Sequence, residues 1–268
     1  MNRLYAYLYD DFLTDSSYQR VLANVETRCS ALGIQGRVSR LAIFRSPKEI
    51  VEGLVHDGAQ NIVVVGNDTT LQKVMWFLPD LPVTVGYIPL CKPSDIAGLL
   101  GIPVGEAACE TLAARRVETV DIGRINERYF LTEVLLRDAR ATVDVDGRFR
   151  IGPSQAGTIS IRNLGGVTSN GLAMSNAKDG WLELAIQPSV EEESPSRFSF
   201  FKKKAAIAEE TKMLLQNGSI QSREPIDALV DGHVLNGFSF SLSILPDKLK
   251  IISGRNKHLE PVEQGLVE

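Results

Sequence analysis

No stretch of this chain approaches the roughly 18 consecutive apolar residues that span a bilayer. It also lacks a marked excess of either charge: 29 Lys and Arg stand against 33 Asp and Glu in 268 residues, a formal −4. That balance argues against a general binder of polyanions such as nucleic acid. Cysteine is scarce. Cys29, Cys91 and Cys109 are odd in number, widely spaced and outside any CxxC or Cys/His cluster, so they are expected to be reduced and structural. The start, Met1 to Tyr9 followed by Asp10 and Asp11, lacks the apolar core and small-residue cleavage site of a signal peptide, and a cytoplasmic protein is expected. What is present is ordinary for a globular chain. With 44% hydrophobic and 23% charged residues, disorder, collagen and coiled coil are excluded as the main state, and the length suits one large or two modest domains.

The first part alternates strands and helices. Leu4 to Tyr9 reads as a strand, and Val21, Leu22, Val25, Cys29 and Leu32 fall at helical spacing before Gly33. Val38 to Phe44 is a second strand, then Ser46-Pro47 opens a helix over Lys48 to His56, ended by Asp57-Gly58. Asn61 to Val65 is a compact β-branched run, followed by the turn Gly66-Asn67-Asp68-Thr69-Thr70, a helix over Leu71 to Leu78, and a strand over Val83 to Leu90. Parallel strands need crossovers of this kind, so an α/β domain with a parallel sheet and helices on both faces is expected. Its ligands belong at the carboxyl ends of the strands, at the turns after Tyr9, Phe44, Val65 and Leu90.

From about Val117 the rhythm changes to strands joined by short turns: Tyr129 to Leu136, Ala141 to Val145 before Asp146-Gly147, Thr158 to Arg162, Trp181 to Gln187, Ile226 to Val230 and Phe238 to Ile244. Phe201 to Gln216 interrupts them with a helical pattern closed by Asn217-Gly218. The second half therefore reads as a mainly antiparallel β domain carrying one helix. The polar run Glu191 to Ser196 reads as a loop.

A glycine-bearing turn between a buried strand and a helix can cradle phosphate, because backbone N–H groups converge at an electropositive helix start. The plainer reading of Gly66 to Thr70 is an ordinary βα turn with Asp68 or Thr69 as helix cap. The next turn adds to it. Gly66-Asn67-Asp68-Thr69-Thr70, then Pro89-Leu90-Cys91-Lys92-Pro93-Ser94-Asp95-Ile96-Ala97, then Leu100-Gly101-Ile102-Pro103 resemble, in order and spacing, the diacylglycerol kinase catalytic domain. In that family, related to sphingosine kinases and bacterial soluble lipid kinases within the NAD kinase-like superfamily, the turns read Gly-Gly-Asp-Gly-Thr, Pro-Leu-Gly-Thr-x-Asn-Asp-Phe-Ala and Leu-Gly-Ile-Pro. Ser175 to Leu184 is similar to the family's segment ending Asp-Gly-x-Leu-Asp, and Val230-Asp231-Gly232-His233 to its Asp-Gly-Glu. The likeness covers nearly the whole chain.

The resemblance implies a three-layer α/β nucleotide domain over about 1–118, a β-sandwich over about 119–245, and a cleft between them where ATP and lipid meet. Residues after about Pro246 are expected to return to the first domain. It implies phosphoryl transfer to a lipid hydroxyl with ATP and Mg²⁺, placing Asp68 and Asp231 as catalytic candidates. Gly66, Asn67, Thr69, Thr70, Lys92, Ser94 and Asp95 would border the nucleotide, and Asp179 would hold metal. Each acid has a plainer reading: Asp95 as a helix cap, Asp179 and Asp231 as hairpin-turn residues.

The departures are as specific as the matches. Asn67 and Thr69 replace two glycines, and a Thr at a former positive-φ position would be strained. Cys91, Lys92 and Ser94 replace Gly, Thr and Asn, with Lys92 a potential new phosphate cation. Asp10-Asp11-Phe12-Leu13 stands where the family has Asn-Pro-x-x-Gly, and His233 replaces Glu. Such losses around an intact apolar framework point to a homologue of weak or lost activity, and the alternative is a non-catalytic binder of lipid or protein through the cleft. Arg197, Phe198, Phe200, Phe201, Lys202, Lys203 and Lys204 suit peripheral contact with the inner face of an anionic membrane, or else a buried aromatic element with solvated lysines. His56 suits a helix end, and His258 carries no signal.

Overall fold

In a computed structural model the protein is described over residues 4–41, 45–153, 155–165, 175–189 and 210–260. The chain begins with β1 (Tyr5–Tyr9), α1 (Gln19–Ala31), β2 (Arg37–Arg40), α2 (Pro47–His56), β3 (Asn61–Gly66), α3 (Asp68–Met75), β4 (Thr84–Pro89), α4 (Asp95–Leu99) and α5 (Ala108–Ala114). β2, β1, β3 and β4 pair in that order, all parallel. β1, β3 and β4 are buried along their whole length, as strands covered on both faces must be, which is why they read as unbroken apolar runs. Cys29 on α1 and Cys109 on α5 are buried and free, with their sulfurs 3.6 Å apart.

The rest is antiparallel: β5 (Arg116–Ile125), β6 (Arg128–Phe130), β7 (Glu133–Ala139), β8 (Ala141–Val145), β9 (Phe149–Ile151), β10 (Gly157–Arg162), β11 (Leu182–Pro188), β12 (Thr211–Leu215), β13 (Asn217–Val230) and β14 (His233–Ser253). All 14 strands are hydrogen-bonded into one continuous sheet, in which β14 lies between β13 and β4. Two cores form along it. One gathers the parallel strands and their helices, and the other gathers Phe130, Val134, Ile159, Leu184, Ile220, Phe240 and their neighbours.

Several expectations are corrected. Thr211 to Leu215, expected within a helix, is the strand β12 paired with β11, and the remainder of that helix, 201–209, lies outside the described residues. So do Glu191 to Ser196 and the basic-aromatic segment Arg197 to Lys204. The strand expected over Tyr129 to Leu136 breaks at Leu131 and Thr132 into β6 and β7. Ile226 to Val230 and Phe238 to Ile244 are parts of two long strands of 14 and 21 residues. β14 runs on past Pro246, pairs in parallel with β4 at Lys250 and Ile251, and leads to Gly254, whose amide donates to the Leu100 carbonyl.

Candidate functional site

The carboxyl ends of β1, β3 and β4 meet at one place, where the fold positions ligands in sheets of this type. Gly66 ends β3 with no room for a side chain: a β-carbon there would lie 2.5 Å from Thr70 Oγ1. Asn67 caps α3, accepting from the Thr70 amide at 2.9 Å, while Thr70 Oγ1 accepts from the Asn67 amide at 3.2 Å. This is a reciprocal capping box. The Thr70 hydroxyl donates in turn to Asp10 Oδ2 at 2.6 Å, with Asn67 Oδ1 as a longer acceptor at 2.9 Å. Thr69 is exposed inside α3 and is not among the residues of left-handed φ, so the strain expected of it does not arise.

Asp68 opens α3 and turns towards the second loop. Its Oδ1 accepts from Ser94 Oγ at 2.5 Å and from the Tyr87 hydroxyl at 2.9 Å, and its Oδ2 accepts from the Ile96 amide at 3.1 Å. Burial raises the Tyr87 pKa, so its hydroxyl remains a donor. Asp68 thereby supplies from a distance the cap that α4 does not receive from its own N-cap, Ser94. Asp95, read as that cap, instead begins the helix and is exposed. Lys92 is exposed and has no ion-pair partner among the described residues.

In the β domain, the turn between β13 and β14 is built on Asp231, at φ 44° and 1% exposure. Its carboxyl accepts from the amides of Leu131 at 2.7 Å, Thr132 at 2.9 Å and Glu133 at 3.1 Å, and from the Thr132 hydroxyl at 2.5 Å. Burial pushes its pKa up, while the Thr132 hydroxyl and the three amides pull the other way. His233 beside it meets the Trp76 ring edge-on at 4.7 Å, and the Arg128 guanidinium lies 3.9 Å from the centre of that ring. This stack joins the end of α3 to the β domain.

Asp179 is exposed and accepts the Trp181 amide at 2.9 Å. Partial burial raises its pKa, and the nearby Asp121 charge adds to this. It shares no hydrogen-bond partner with Asp68 or Asp231, and among the described residues no group of three or more acids, histidines or cysteines is placed to hold a metal. Asp121 itself, buried in β5, accepts from the amides of Gly180 at 2.7 Å and Asp247 at 2.9 Å. Of the residues singled out from the sequence, the structure thus brings together Gly66, Asn67, Asp68, Thr70 and Ser94. Tyr87, Thr132 and Asp121 were missed, since each lies in or beside a strand that patterning reads only as framework.

Residues 8–125 match the family model of the diacylglycerol kinase catalytic domain. The resemblance carried by the turns thus spans that segment. A solved diacylglycerol kinase from Bacillus anthracis str. Sterne shares the fold at a TM-score of 0.71 and 14% identity, over 94% of this chain and 97% of the other. A second structure from that organism, provisionally assigned to the same kinase class, gives 0.73 at 14% identity over 94% and 98%. At such identity the likeness is one of fold, and it extends beyond the matched segment into the β domain. No curated protein matches the chain. No described helix is long and apolar enough to cross a membrane.

Proposed function

We propose that this chain is a diacylglycerol-kinase-type protein whose ATP-dependent transfer to a lipid hydroxyl is weak or lost, because its nucleotide turn is closed by its own side chains. Kinases of this type generally use ATP. The residues here do not fit that group in the family's manner. The amide of Thr70 is taken by Asn67, and the Thr70 hydroxyl is taken by the Asp10 carboxylate at 2.6 Å. An internal anion thus sits where a phosphate would seek the helix start, and a second carboxylate, Asp11, follows it. Both carboxyl oxygens of Asp68 and of Asp231 accept hydrogen bonds from neighbouring loops, which supports a positioning role for each acid. We assign both acids to holding loops in place. The observation carrying this reading is the Asn67, Thr70 and Asp10 closure.

The second reading, binding without catalysis, is supported by what remains: two fixed loop clusters, one built on Asp68 and the other on Asp231 with the Trp76 stack. Calorimetric titration of the purified protein with Mg²⁺-ATP to millimolar concentration tests the proposal. No saturable heat is expected. Tight binding with measurable turnover on diacylglycerol would sink the reading.

A further inference from the structure

The β domain carries a groove of about 1170 Å³ away from the nucleotide turn. Two irregularities open it. The β13 ladder shifts register between Gln221 and Ile226, pushing Ser222 to Pro225 away from β14, and β7 kinks at Asp138, whose φ is 48°, where its pairing with β10 shifts register. Bulges and left-handed corners of this kind re-aim side chains at sheet edges. The Ser222 hydroxyl donates to the Arg140 carbonyl at 3.2 Å, which brings the corner between β7 and β8 at Arg140 beside Arg223 of β13.

Arg137, Arg140, Arg150 and Arg223 all line this groove. Its lining also carries neutral hydrogen-bonding groups, from Thr142, Gln221 and Ser222. Arg150 pairs with Asp144 at 3.5 Å, but Arg137, Arg140 and Arg223 have no carboxylate partner among the described residues. Three acids border the groove as well. Asp138 accepts the Ser189 hydroxyl at 3.3 Å and Asp227 accepts the Asn236 side-chain amide at 2.7 Å, while Glu224 lies in the bulge. None of the three pairs with the arginines. Guanidinium forks left without carboxylates in a polar groove match the bidentate geometry of phosphate oxygens.

We propose that this groove binds phosphate-bearing anions, either a lipid phosphate at a bilayer surface or a soluble phosphate ester, with Arg140 and Arg223 as the principal contacts. The inference is independent of the nucleotide turn, since no residue is shared with it.

The test compares the full chain with an Arg140→Gln/Arg223→Gln variant, whose melting temperature is expected to stay within a few degrees because both residues are exposed. Two probes are used: sedimentation with phosphatidylglycerol vesicles against phosphatidylcholine controls, and calorimetry with glycerol phosphate. Salt-sensitive binding to the anionic vesicles, weakened roughly tenfold or more in the variant, supports the site with a bilayer as its source. Binding of glycerol phosphate alone, lost in the variant, supports it with a soluble source. Equal binding by variant and wild type overturns the proposal, as does failure of the wild type to bind either probe at millimolar concentration.

Discussion

The Thr70 hydroxyl donates to Asp10 across 2.6 Å, tying the first turn of α3 to the end of β1. The two residues are 60 positions apart, yet together they decide what the phosphate-type turn can accept. Asp10 presents to the helix start the negative charge that a ligand would otherwise bring, and Asn67 completes the closure by taking the Thr70 amide.

Opening that turn should be possible by substitution. Asp10→Asn combined with Asn67→Gly removes the internal anion and the side-chain cap, and should create Mg²⁺-ATP binding detectable by calorimetry. Thr69→Gly alone should change nothing, since Thr69 is exposed and unstrained within α3. Absence of heat from the double variant would place the defect elsewhere, with Lys92 and Asp11 the next residues to change.

Asp68 is a structural latch in this arrangement, and removing it should be felt in stability. Asp68→Ala leaves Tyr87, Ser94 and the Ile96 amide without their acceptor. A loss of about 2 kcal/mol is expected, equivalent to roughly 4–8 °C for a chain of this size. A melting temperature within a degree of wild type, by calorimetry or circular dichroism, would contradict the latch.

Asp121 should matter more. It is 2% exposed and holds the amides of Gly180 and Asp247. Hydrogen bonds to a charged group are worth about 1.5–3 kcal/mol each, and both amides are part-buried, so Asp121→Ala should cost about 3 kcal/mol. Asp121→Asn, which retains one acceptor oxygen, should cost less. Chemical denaturation of the two variants measures the difference, and equal losses would count against the two-amide account.

Glu118 gives a pH signature. Hydrogen bonds from Lys178 and then from Lys257 hold its carboxyl below the usual range. A depressed carboxylate contributes stability in full above its unfolded pKa of about 4.3 and loses it as pH falls through the lower folded value. Wild type should therefore shed about 0.5–1 kcal/mol of this contribution on acidification below that point. Glu118→Gln should be less stable at neutral pH and flatter below pH 4.3, as read from denaturation midpoints across pH. Parallel profiles would exclude the effect.

Much of the first half was legible because its strands are buried on both faces. Ile62 to Val65 is a short, β-branched apolar run that reads as an interior strand, and the polar turn after it reads as a strand-to-helix corner. The second half was harder for a definite reason. Ser222 to Pro225 and Pro246 to Lys248 look like strand ends, yet both are bulges that absorb a proline without ending the ladder, so β13 and β14 were read as fragments. Thr211 to Leu215 was misread because β12 leaves Lys212 and Leu214 exposed, and its apolar residues, taken with those before it, mimic helical spacing. At the site, the turns were found, but their chemistry was not. The partners of Asp68 lie 19 to 28 residues away and those of Asp231 about a hundred, distances over which sequence spacing carries no information.

The long strand β14 has a mechanical consequence. Phe240, Leu242 and Ile244 are embedded in one core, Leu249, Ile251 and Ile252 in the other, and β5 runs beside them through both. The two lobes are therefore joined by a shared two-stranded beam rather than a flexible tether. The ladder between these strands has one irregular joint, at Pro246 to Lys248, and Asp121 clasps it through the Asp247 amide. Relative motion of the two lobes must bend or twist the beam at that joint, so they can flex against each other but cannot swing apart as independent bodies.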